Sequence, residues 1–140
     1  MKQFFAIAIL IFIPFTGVAE DKPLMLEVSK DTDLAAFRWT YRPLVVFANS
    51  TADVNYQRQI RMLERDIESL IDRDVIILID TMPSAATPLR EVLRPQGFAL
   101  LLIGKDGQVK LRKPFPWSVR ELSRAIDKMP MRRQELNTDK

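Results

Sequence analysis

The chain contains neither cysteine nor histidine, and each absence removes a class of chemistry. Without cysteine there is no disulfide, no thiolate nucleophile and no lipid-bearing Cys at a cleavage site. Without histidine, the side chain that titrates near neutral pH and ligates most catalytic metals is missing. Ser-His-Asp and Cys-His catalysis, structural zinc and imidazole acid/base work are therefore excluded for this chain, and neither a metal nor a cofactor is expected. Carboxylate, lysine, tyrosine or hydroxyl chemistry remains, or binding alone. Strong charge of one sign is also lacking: 21 Lys and Arg stand against 18 Asp and Glu, for a net charge of +3. Bases and acids are interleaved, so the composition points to a mixed-charge surface and not to a nucleic-acid partner.

What is present is ordinary globular composition, with 47% hydrophobic and 28% charged residues. The one long apolar run lies at the start. Met1-Lys2-Gln3 is followed by Phe4 to Phe15 (FFAIAILIFIPF), then by small residues at Gly17-Val18-Ala19. This order is that of a secretory signal peptide, expected to span residues 1–19. A spanning helix needs about 20 apolar residues, so the run is short for a membrane anchor. Cleavage after Ala19 leaves 121 of the 140 residues and lowers the charge to +2 by removing Lys2. The mature protein is thus expected to be exported, periplasmic or secreted, without a stable anchor. It is long enough to bury a core without staples.

Residues 20–31 read as a flexible polar tail, with a short extended piece at Leu24-Met25-Leu26. Asp33 or Thr32 can cap a helical turn through Phe37. Leu44 to Ala48 (LVVFA), Val75 to Ile79 (VIILI) and Phe98 to Ile103 (FALLLI) are continuous apolar runs that suit strands buried on both faces. Between the first two, Tyr56, Ile60, Leu63, Ile67, Leu70 and Ile71 recur at helical spacing, predicting one helix of nearly five turns. Thr87 and Pro88 open a short helix. Lys105-Asp106-Gly107 makes a hairpin turn into a strand over Val109 to Lys113. Ser118 and Glu121 form a capping box for a last helix that Pro130 stops. Residues 132–140 read as a polar tail, leaving one domain over 32–131.

The order β–α–β–α–β–β–α, a βαβ unit followed by a ββα unit, predicts an α/β fold of three layers. Its centre is a mixed four-stranded sheet flanked by helices, the thioredoxin-like arrangement. The run Pro43 to Ala48, the helix after it, Gly97 to Val109 (GFALLLIGKDGQV) and the ending Met129 to Glu135 (MPMRRQE) carry a resemblance over residues 31 to 135. They resemble a family of bacterial secreted thioredoxin-like domains of unassigned function. That family is related to the peroxiredoxin-like domain of vertebrate Equarin and the sushi-repeat proteins. The resemblance implies the fold and leaves the activity open.

In thioredoxin-like enzymes the thiols stand after the first buried strand, where the helix N-terminus stabilises thiolate. That place is Asn49-Ser50-Thr51-Ala52-Asp53 here. Hydroxyls have no accessible redox couple, so dithiol exchange and thiol peroxidase chemistry are excluded. Phe98 stands where those relatives carry a proline that shapes the substrate groove. The helix start could still hold an anion, or one of its polar residues could simply cap the helix; the second reading is preferred.

Asp80 could face a ligand at the strand edge or form a turn. Lys110, Arg112 and Lys113, with Arg132 and Arg133, could form a basic patch for an acidic surface or glycan, or a solvated face. Phe115-Pro116-Trp117 offers a binding edge or packs on the last helix. Two functions follow. The first is a non-catalytic module binding an extracytoplasmic protein or polymer through Asn49, Ser50, Thr51, Asp53, Phe98, Phe115 and Trp117. The alternative is an enzyme, hydrolase-like or otherwise, using the carboxylate or hydroxyl groups of Asp53, Asp80 or Ser50.

Overall fold

A computed structural model describes residues 25–140; the expected signal peptide lies outside the described residues. The strands are β1 (Met25–Glu27), β2 (Arg42–Phe47), β3 (Val75–Asp80), β4 (Ala99–Ile103) and β5 (Val109–Lys113). The α-helices are α1 (Val54–Arg65), α2 (Ile67–Ile71), α3 (Pro88–Leu93), α4 (Val119–Asp127) and α5 (Pro130–Thr138). The strands form one mixed sheet in the order β1-β3-β2-β4-β5. β3 runs parallel to both β1 and β2, while β2/β4 and β4/β5 are antiparallel.

Every residue of β2 and β4 is buried, as their unbroken apolar runs require. Alternation along the strands then sorts side chains into two cores. Leu44, Val46, Ile77, Leu100 and Leu102 pack beneath α1, α2 and α4, meeting Leu63, Leu70, Leu122 and Ile126. Val45, Phe47, Leu78, Leu101 and Ile103 face the other way, against Leu89 and Leu93 of α3. The helices thus cover both faces, which is the expected three-layer α/β arrangement.

Four differences from the sequence reading have physical causes. The sheet has five strands instead of four, because Met25–Glu27 pairs in register with Ile77, Leu78 and Ile79 on the outside of β3. The extended piece read at Leu24-Met25-Leu26 within the tail is therefore a sheet strand, shifted by one residue to Met25–Glu27. The long helix is broken at Asp66, which leaves helical geometry at φ −138° and accepts a bond from the Ser69 hydroxyl at 3.0 Å. Asp is among the weaker helix formers, and the apolar stripe continues across the break through Ile67 and Leu70. Pro130 ends α4 but also opens α5 at the first helical position, where a missing N–H costs nothing. Residues 132–138 are consequently helix and not tail.

Candidate functional site

Antiparallel and parallel pairing bring the C-terminal ends of β2, β3 and β5 and the N-terminal end of β4 to one end of the sheet. The loops leaving that end contain most of the candidate residues. Asn49, Ser50 and Thr51 are exposed. The Ser50 hydroxyl accepts the Ala52 N–H at 3.2 Å, and the Thr51 carbonyl accepts the Gln57 amide at 3.2 Å. Asp53 Oδ1 accepts the N–H groups of Asn55 at 2.8 Å and Tyr56 at 3.0 Å. Its carboxylate thus occupies the place an external anion would take, and the capping role describes this residue.

Behind that loop, Asp80 is buried and acts neither as a plain turn former nor as a free carboxylate. It accepts the Thr87 hydroxyl at 2.7 Å and Arg90 Nε at 3.0 Å. Arg90 Nη2 continues to the carbonyls of Ala48 at 2.8 Å and Asp80 at 3.1 Å, and its guanidinium lies 5.3 Å from the Phe47 ring centroid. The result is a closed polar brace joining β2, β3 and α3. Asp53 and Asp80 are each spent in structural bonds of their own, so the sheet end does not present two carboxylates to one substrate.

Phe98 is buried in the core with Leu100 and Val119, and it also borders a cleft between the end of α3 and the end of β5. Phe115 projects outward. Trp117 is half-buried, and its position is set by a residue the sequence reading missed. Gln59, wholly buried on α1, donates its amide N–H to the Trp117 carbonyl at 2.9 Å and accepts the Trp117 N–H at 2.9 Å. A glutamine on the apolar face of a helix was the available signal. The Lys113 ammonium lies 4.5 Å from the Trp117 ring centroid.

The five candidate bases do not make one patch. Lys110 pairs with Asp106 at 2.8 Å, and Arg132 turns toward Asp127, Glu135 and the Asp72 carbonyl. Arg133 is exposed on α5. Arg112 and Lys113 stand at the other end of β5, at the candidate sheet end.

A second cluster, also missed, closes the opposite end of the sheet. Arg42, fully buried at the start of β2, donates to Glu135 at 3.0 and 3.3 Å and to the Arg73 carbonyl at 2.9 Å. Lys105 bonds both Glu135, at 2.6 Å, and Asp74, at 2.8 Å. Burial raises the Glu135 carboxyl, but hydrogen bonds from Arg42 and Lys105 outweigh it and hold the group at about 2. Arg73 grips Asp127 through two bonds of 3.0 Å, and that hydrogen-bonded pairing lowers the Asp127 carboxyl. Lys105, read as part of a turn, is thus a buried anchor for α5. Among the described residues no acidic group of three or more is placed to hold a metal ion, and no helix is long and apolar enough to cross a membrane.

Comparison with known proteins agrees with this architecture. Coiled-coil domain-containing protein 80 of Danio rerio is 31% identical over 147 aligned positions, covering 84% of this chain. The match takes in 16% of that protein, so the chain spans about a sixth of its relative's length. Among solved structures, chloroplastic thioredoxin z aligns with a TM-score of 0.56 at 22% identity, over 73% of this chain and 90% of its own. Thioredoxin peroxidase I of Plasmodium yoelii aligns at 0.55 and 20% identity, over 74% of this chain and 80% of its own. These likenesses establish a thioredoxin-like fold. The sequence pattern described as a domain of unknown function, DUF4174, runs through residues 33–135, most of this sheet and its helices, and the chain belongs to that family.

Proposed function

We propose that this domain is an exported, non-redox binding module that engages a protein or extracellular polymer through the sheet end bearing Asn49 to Val54 and Phe115 to Trp117. One observation carries the reading. Val54, Met82 and Phe115 are 71%, 63% and 53% exposed, and all three stand where loops and helix starts leave this end of the sheet. Solvated apolar side chains at a rigid edge favour association. The carboxylates nearby are occupied by the α1 cap and the Arg90 brace, which weighs against hydrolase-like chemistry. The absence of cysteine weighs against exchange or peroxidase chemistry at the same place. The apolar run and small residues of positions 4–19 support export.

Immobilised protein incubated with an envelope extract from its source should retain a specific partner, and Phe115→Ala should lose it without lowering thermal stability. Insulin-reduction and peroxide-consumption assays should match the buffer. Turnover in either assay, or retention indifferent to Phe115, contradicts the reading.

A further inference from the structure

Beside those apolar loops lies a cleft bounded by Arg94 and Gln96 after α3, Phe98 before β4, and Arg112, Lys113 and Pro114 at the end of β5. Three of these residues are cations, and no carboxylate lines the cleft. Arg112 donates to the Leu93 carbonyl at 2.7 Å and Lys113 stacks on Trp117, yet neither they nor Arg94 forms an ion pair among the described residues. This contrasts with Arg42, Arg90 and Lys105, each of which is matched to a carboxylate. The same strand is the outer strand of the sheet, so one side of its backbone has no strand partner among the described residues. Side chains alternate along a strand: Arg112 turns toward α3, and Lys113 toward Trp117 on the other face.

We propose that the β5 edge and this cleft bind an acidic peptide segment in extended form. The peptide would add as a sixth strand, with carboxylates meeting Arg94 and Arg112 on one face of the sheet and Lys113 on the other. An extended peptide supplies both things the edge lacks, backbone hydrogen-bonding partners and negative charge. An anionic polysaccharide answers the cations alone and leaves the edge unpaired. The proposal rests on the binding-module reading and narrows its partner to one class.

The test is fluorescence anisotropy with a short, blocked peptide in which pairs of adjacent glutamates alternate with pairs of valines, so that both faces of an added strand carry carboxylates. The glutamine analogue and a peptide N-methylated at alternate residues serve as comparisons, together with a sulfated oligosaccharide. The acidic peptide should bind, and both altered peptides should bind about tenfold more weakly or worse. Arg94→Glu, alone and with Lys113→Glu, should reduce affinity about tenfold, whereas Arg61→Glu, at an exposed position of α1 outside the cleft, leaves it unchanged. Thermal unfolding verifies that each variant is folded. Equal binding of the N-methylated peptide overturns strand addition. Tighter binding of the oligosaccharide, equally sensitive to Arg94→Glu, makes the cleft a polysaccharide site and overturns the proposal. No preference for the acidic peptide means that the cations only guard the edge against self-pairing. Phe115-dependent partner retention would survive that last result, so the two readings fail separately.

Discussion

Arg42 and Glu135 lie 93 residues apart in sequence, yet they meet at the foot of the sheet, where Glu135 also accepts a bond from Lys105. A guanidinium that is 1% exposed cannot be left without its carboxylate cheaply. Glu135→Gln keeps the shape and removes the charge, and should lower unfolding free energy by about 2 kcal/mol, discounted because Glu135 retains some solvent contact. The ordinary value for such a carboxyl is 4.5, and the folded protein holds it at about 2. Because the folded value is the lower one, this stabilisation is complete above about 4.5 and is lost as pH falls through about 2. Urea unfolding of the two proteins should therefore differ at neutral pH and converge toward pH 2. At the opposite end, Asp80→Ala strands Arg90 and frees the Thr87 hydroxyl. It should cost about 3 kcal/mol in the same measurement. A loss under about 0.5 kcal/mol, the size of an ordinary surface change, would return Asp80 to the role of a turn residue.

At the scale of elements, what the sequence disclosed depended on whether a signal is local. Asp33 bonds the Ala35 N–H, Thr87 that of Arg90, and Ser118 with Glu121 forms a reciprocal box; each cap was readable because its partner lies within three residues. The strands were readable because double-sided burial demands unbroken apolar runs. α5 was not, since none of its residues is buried and its attachment runs through charges brought together only by folding. Gln59 shows the same limit. Its partner Trp117 is 58 residues away, so a glutamine on the apolar face marks the position without disclosing the partner. Gln59→Ala leaves the Trp117 N–H and carbonyl without that partner and should cost about 2 kcal/mol. It should also loosen the Phe115–Trp117 segment, seen as a red shift in tryptophan emission in the folded protein. An unchanged spectrum with unchanged stability would show that other contacts hold the segment.

The two ends of the sheet differ in what they carry. At one end, charge pairs fasten α5; at the other, the Asp80–Arg90 brace supports loops that carry exposed Val54, Met82 and Phe115, with Arg112 and Lys113 at the end of β5. Fold class was legible because order of elements and burial restrict topology. The candidate site was legible only as a location, since what each side chain does there depends on long-range partners. Asp53 proved to be a cap, Phe98 a core residue that also borders the cleft, and Asp80 a brace, and exposed Phe115 remains the candidate best placed to meet a partner. The decisive measurement pairs partner retention with thermal unfolding for Phe115→Ala and Glu135→Gln, assayed below the melting point of each. The account predicts that Phe115→Ala keeps its melting temperature and loses the partner, while Glu135→Gln melts earlier and keeps it. The reverse pattern, with retention following Glu135 and ignoring Phe115, would place binding at the other end of the sheet and contradict the account.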